Sequence, residues 1–315
     1  MFLLASFIAP KVAARFSGKF TLFTSMLLVS ILIILSFSLT IFAIFSFAFE
    51  ASFDFLYFIF GIVILNLITY IFSPLILKIT YGIEENDEVQ EIVDNVKKKL
   101  NYKGKLIGVI ARNFPYPNAF AFGNFIFGKY VAVTESMLKL TNKKELEAVI
   151  GHEIGHHMHK DNAIMLLFGL LPSILYYLGY FLIVGRREEE RSTVLMIVGF
   201  FSVIISFLVQ ILVLAFSRLR EYFADLEGAR ASGKENMQSA LVKLHNYYKS
   251  AKSALSGEIG KTLFIYAFTQ TLANPMVSMD TIEKIKSEEI NPLEEFLSTH
   301  PPIPKRLKFL DTLPY

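Results

Sequence analysis

The chain has no cysteine and no tryptophan in 315 residues, and only 19% of it is charged. The missing cysteine excludes disulfides, thiolate nucleophiles and sulfur-bound metal sites together, so any metal must be held by His, Asp or Glu. Ordinary soluble domains carry roughly 25% charged residues. Here that share is replaced by hydrophobic residues, at 53% of the chain. Such a balance excludes disorder and argues for a membrane protein. A net charge of +3, with no condensed basic stripe, speaks against a nucleic-acid partner. Internal repeats and low-complexity linkers are also missing from the sequence.

What is present begins with four charge-free runs, 20–49, 55–77, 162–185 and 192–217, each long enough for the roughly 20 residues that span a bilayer. Pro74 and Pro172 fall inside two of them, a placement that membrane helices tolerate. Residues 1–19 carry Lys11, Arg15 and Lys19 and no acid. The positive-inside rule therefore puts the amino terminus, and with it both termini and segments 78–161 and 218–315, in the cytoplasm. The outer loop 186–191 holds three Arg against three Glu and argues weakly against that orientation. The opening segment 1–19 reads as cytoplasmic or interfacial, not as a cleaved signal.

In segment 78–161 the pattern predicts a charged helix over 84–100, strands over 106–111, 118–122 and 125–134, and a helix from about Lys143 to Lys160. Asn142 followed by Glu145 is a capping-box pair for that last helix. The helix contains His152-Glu153-Ile154-Gly155-His156. Histidines at i and i+4 share one face about 6 Å apart and can reach one tetrahedral metal, leaving Glu153 free to face a water. Catalytic zinc takes three protein ligands, so a third is needed. The short loop 186–191 makes the last two spans antiparallel. His156 then lies about 9 Å, and Glu221 about 6 Å, beyond the membrane end of its run at 1.5 Å per residue. The two levels match, so a zinc between the helices could take His152, His156 and Glu221; by themselves Glu221 and Asp225 fit equally a solvated juxtamembrane face with Arg220 as partner. Asp225, one turn further on, suits the free N–H of a ligand histidine. His157 and His159 point away from the 152/156 face and read as surface residues; His245 reads as packing.

The motifs HEIGH (152–156), SRLREYFAD (217–225), NAFAFGN (118–124) and HPPIPKRLKFL (300–310) together resemble the HtpX family of membrane zinc metalloproteases, relatives of the CAAX prenyl proteases. The resemblance implies one zinc per chain on His152, His156 and Glu221, Glu153 as general base and Asp225 as a partner of a ligand. It further implies His300 near the oxyanion, Arg306 toward substrate, an edge strand at Asn118, Ala119, Phe120 and Ala121 that pairs with an extended peptide, and an acidic residue of open role at Asp161.

The expected fold is therefore a mainly α membrane protein. Transmembrane helices 1–2 lie within 20–77 and helices 3–4 within 162–217. A cytoplasmic α+β zincin-like catalytic domain is built from two chain segments, 78–161 and 218–315. The expected function is a zinc endopeptidase of the cell membrane acting on membrane or misfolded proteins at the cytoplasmic face. A site within the bilayer is disfavoured by Lys143, Lys144, Glu145 and Glu147 on the metal helix. A prenyl-peptide protease would carry more spans. A transporter would place ionisable residues inside its spans, where this chain has none; a scaffold would have no use for Glu153. Oligomeric state stays open.

Overall fold

A computed structural model describes residues 53–184, 193–255 and 277–314, together with Ile33, Ser36, Phe37 and Thr40. Apart from those four residues, the first apolar run lies outside the described residues, as do segment 1–19 and loop 186–191. Helix α1 (Phe53–Tyr81) leads into strand β1 (Ile83–Glu85) and helix α2 (Asp87–Lys99). Strands β2 (Ile107–Ala111), β3 (Ala119–Asn124) and β4 (Gly128–Thr134) follow, then helices α3 (Glu135–Leu140) and α4 (Lys143–Met158). Two long helices, α5 (Asp161–Val184) and α6 (Thr193–Ser232), precede α7 (Lys234–Leu255), α8 (Met279–Lys286), α9 (Pro292–Leu297) and α10 (Ile303–Asp311).

The charged stretch expected as one helix over 84–100 divides at Asn86. Its side chain accepts from the Val89 N–H and caps α2, so the preceding Ile83–Glu85 is free to pair with β2 as an antiparallel strand. The sheet order is β1-β2-β4-β3, with β2 and β4 parallel and β3 antiparallel to β4. β3 is thus an edge strand. On one face of the sheet, Val131 and Val133 of β4 pack with Val89, Ile92, Val93 and Val96 of α2 and with Leu146, Ile150 and Ile154 of α4. On the other face, Phe122, Tyr130 and Ala132 meet Leu77 of α1. A second core joins Leu219, Tyr222, Phe223 and Leu226 of α6 to Met237 and Leu241 of α7, Ile282 and Ile285 of α8, and Leu307 and Leu310 of α10.

Among the described residues, three helices are long and apolar enough to cross a membrane: Val63–Tyr81 within α1, then α5 and α6. α5 and α6 touch backbone to backbone where Gly179 meets Gly199. A Cβ on Gly199 would lie 2.7 Å from the Gly179 carbonyl oxygen. Small residues at such crossings let membrane helices approach closely, and the Ser202 hydroxyl donates across the same interface to the Leu175 carbonyl at 2.9 Å. Gly199→Val is expected to cost about 1–3 kcal/mol through overpacking, read as a lower Tm in detergent; an unchanged Tm would count against this crossing.

The capping box at the start of α4 forms in both directions. The Glu145 N–H donates to Asn142 Oδ1 at 2.9 Å, and the Asn142 N–H donates to Glu145 Oε2 at 2.8 Å. The same glutamate is fully buried and takes a Lys243 ion pair at 2.7 Å from α7. α4 also lies close against α6. A Cβ on Gly151 would meet the Ala231 Cβ at 2.5 Å, and one on Gly155 would meet the Ala224 Cα at 3.1 Å. α6 runs without a break from its apolar stretch through Ala231, so this contact carries side chains of α6 directly onto the His152–His156 face.

Candidate metal centre and cleft

His152, His156 and Glu221 converge, each offering a donor atom within 4.8 Å of the others. The two Nε2 atoms are 3.2 Å apart, and Glu221 carboxylate oxygens lie 3.6 Å from His152 Nε2 and 3.7 Å from His156 Nε2. Ligand atoms held 2.0–2.1 Å from a tetrahedral zinc are about 3.3 Å from one another, so the spacing and the nitrogen-oxygen donor set fit that ion. Burial by itself lowers the His152 imidazole, yet hydrogen bonds with Asp225 and Glu221 raise it to about 10. The cluster therefore favours positive charge at its centre.

Each histidine is held from behind by the same device. His152 Nδ1 lies 3.0 Å from Asp225 Oδ1, and Asp225 is clamped by both arms of Arg306, with Nε to Oδ2 at 2.8 Å and a second bond from Nη2 to Oδ1. His156 Nδ1 lies 2.6 Å from Asp161 Oδ2, which pairs in turn with Arg220 Nη2 at 2.7 Å. An Nδ1–H bonded to a carboxylate leaves the Nε2 lone pair free for a metal. Burial would raise the Asp225 carboxyl, but Arg306 and His152 bring it below its ordinary range.

The remaining expected residues surround this cluster. Glu153 is buried and lies in the cleft; burial raises its carboxyl above the ordinary value, opposed by His152, His156 and a backbone hydrogen bond from Ala121. Asn118, Ala119, Phe120 and Ala121 form one wall of a cleft of about 480 Å³, whose other linings include Met237 and Leu241 of α7 and His300. The segment entering β3 is pinned by the Asn118 N–H donating to Thr134 Oγ1 at 2.9 Å and by the Tyr248 hydroxyl donating to the Pro117 carbonyl at 2.8 Å. His300 Nε2 stands 3.5 Å from Glu221 Oε1 on an exposed side chain. Arg218 of α6 holds the chain before it, donating to the Ser298 carbonyl at 2.8 Å.

Three placements differ from what the sequence suggested. The Arg306 guanidinium, expected toward substrate, lines the cleft but is committed to Asp225. His157 is buried, not a surface residue; its Nε2 lies 2.9 Å from the Tyr130 carbonyl, and burial lowers the ring to about 4, so it is neutral and donates there. The face opposite the metal is covered by β4. His245 Nε2 lies 3.0 Å from a Glu288 carboxylate oxygen, a polar contact in addition to any packing. The Asp161–Arg220 pair gives a role to Asp161, which the sequence leaves open. The sole signal for it was the acid five residues after His156.

Two histidines one turn apart, a glutamate beside them and a carboxylate from a crossing helix, set below an edge strand, compose a metallopeptidase type of site. A family profile described as Peptidase family M48 matches residues 84–313. The chain is 49% identical over 317 residues to a protein named Protease HtpX homolog from Archaeoglobus fulgidus, covering 99% of this chain and 93% of that one. A protein of the same name from Pyrobaculum islandicum is 50% identical over 328 residues, covering 99% and 94%. The chain belongs to peptidase family M48, in the group of HtpX-type membrane proteases. Its fold is similar to that of S. mikatae Ste24p, with a TM-score of 0.52 at 18% identity, over 92% of this chain; the chain spans 66% of that structure's length.

Proposed function

We propose that this protein is a zinc-dependent endopeptidase that cleaves membrane or misfolded proteins at the cytoplasmic face of the cell membrane, with one zinc per chain held by His152, His156 and Glu221. A zinc held there would supply Lewis acidity toward a peptide carbonyl and a water. The chain's own residues do the rest. A substrate in extended form adds to the free edge of β3 at Asn118–Ala121 through backbone hydrogen bonds, which lays its scissile bond over Glu153. Glu153 accepts the proton of the attacking water and returns it to the leaving amine. The exposed His300 imidazole, beside Glu221, donates toward the developing oxyanion. Asp225 and Asp161 hold the ring orientations of the two ligand histidines, and Arg306 and Arg220 hold the two carboxylates.

The observation that carries this reading is the buried Glu153, whose carboxyl is raised by burial, next to the His152–His156–Glu221 cluster. The basic flank at Lys11, Arg15 and Lys19 supports the cytoplasmic assignment. The test is cleavage of an unfolded soluble protein by the detergent-purified chain, before and after dialysis against a chelator. Cleavage should be lost with the metal and return when zinc, one per chain, is restored. Cleavage that survives complete metal removal, or a zinc-loaded chain that cuts nothing, would overturn it.

A further inference from the structure

The β3–β4 hairpin tip carries two of the most exposed large apolar side chains among the described residues outside the long helices, Phe125 at 83% and Ile126 at 52%. Its attachment explains why. Pro74 interrupts α1, and a proline has no N–H for the carbonyl four residues earlier, which here is that of Tyr70. In hydrocarbon such a carbonyl requires another donor. The Asn124 side-chain amide supplies it, donating to the Tyr70 carbonyl at 3.0 Å and to the Ile71 carbonyl at 2.9 Å, alongside the Ser73 hydroxyl. The oxygen of the same side chain accepts from the N–H groups of Ile126 and Phe127 at 2.9 and 3.0 Å and so builds the turn. Phe127 then packs at a tilt against Phe72 of α1, with ring centroids 5.9 Å apart.

These contacts set the depth of the hairpin. Asp54 and Lys78 bound a charge-free stretch of α1. Tyr70 lies eight residues before Lys78, about 12 Å along the axis at 1.5 Å per residue, and lines one cavity with Asn162 at the membrane end of α5, which places the hairpin where α1 enters the hydrocarbon layer. The Lys78 ammonium marks the polar level, bonded to the Tyr130 hydroxyl at 2.8 Å. Lys129 and Lys160 line a cavity of about 230 Å³ that joins Phe125 to His156. Phe125 and Ile126 thus continue the lipid-facing surface of α1, to which Phe72, Leu75 and Ile76 already contribute.

We propose that the β3–β4 hairpin tip is immersed in the acyl-chain region of the bilayer beside α1, so that edge strand β3 ends in lipid and receives extended chain emerging laterally from the membrane. Lipid is the occupant because the apolar tip is continuous with a membrane-spanning helix and docked at a point within its charge-free stretch. The delivery step rests on the peptidase reading above; the immersion does not.

A chain without tryptophan permits a direct test. Phe125→Trp, Phe72→Trp and Tyr116→Trp variants of the full chain are reconstituted in vesicles whose lipids carry bromine on the acyl chains. Phe125→Trp should lose fluorescence as strongly as Phe72→Trp and resist aqueous iodide. Tyr116→Trp, beyond the opposite end of β3, should show the reverse. A Phe125→Trp signal quenched by iodide, or by neither agent because protein covers it, overturns immersion. Delivery is read with the double variant Phe125→Asp, Ile126→Asp on two forms of one unfolded substrate, soluble and membrane-anchored. Selective loss on the anchored form supports delivery, and equal rates or an equal loss on both overturns it. A wild-type chain that cleaves neither form would defeat the peptidase reading while leaving the quenching result standing.

Discussion

Glu153→Gln should lower the cleavage rate by about 10²- to 10⁴-fold, the range contributed by a positioned general base, with zinc content and Tm unchanged. The amide keeps the volume and hydrogen-bonding shape of the carboxyl in a buried position, and its oxygen still accepts the Ala121 N–H. What it loses is basicity. Because Glu153 is beside the ligand cluster and not part of it, loss of rate and loss of metal separate in this variant, as they would not in His152→Ala. The wild-type pH profile supplies an independent reading. Burial raises the Glu153 carboxyl above its ordinary 4.5, and the base works only when ionised. Activity should therefore fall on the acid side as Glu153 takes up a proton, with an acid limb that disappears from the residual activity of Glu153→Gln. A variant that retains half or more of the wild-type rate would remove Glu153 from the mechanism.

How far the sequence was legible follows from which distances a helix sets by itself. His152 and His156 are one turn apart, and their Nε2 atoms lie 3.2 Å from each other; local geometry alone brings them together. Glu221 was reachable because α5 and α6 are antiparallel and the membrane gives both a common level. Asp161, Arg220 and Arg306 were not legible in their contacts, because those depend on how α4, α6 and α10 pack. The closeness of that packing comes from Gly151 and Gly155, two small residues whose meaning appears only against Ala231 and Ala224. His157 was misread because a helical face turned away from the metal was taken as facing water, where β4 covers it. Strand β1 went unseen because three residues, two of them acidic, carry no alternation to detect. The bonds from Asn124 to the Tyr70 and Ile71 carbonyls join residues more than fifty apart and have no local signature at all.

The two aspartates behind the histidines should be worth about 10- to 100-fold each in zinc affinity, the usual cost of losing an outer partner of a metal ligand. Asp225→Asn should exceed Asp161→Asn. Asparagine can still accept from a histidine Nδ1–H through its oxygen, so the ring orientation survives in part. Its NH₂ group must then face an arginine, donor against donor. Asp225 is clamped by both arms of Arg306 with no exposure to water, so its replacement leaves a buried guanidinium without its partner charge, a costly state. Asp161 Oδ2 takes both the His156 and the Arg220 contact, while its Oδ1 is buried without a hydrogen-bond partner. Its replacement loses one shared acceptor instead of a two-point clamp. Competition with a chelator of known affinity measures the zinc Kd of each variant, and thermal unfolding of the metal-free proteins separates affinity from stability. The expected pattern is weaker zinc binding in both, with a fall in Tm concentrated in Asp225→Asn. Kd values within twofold of wild type for both variants would mean that His152, His156 and Glu221 hold the ion without these supports, and that the aspartates serve only to join α4 to α6 and α10.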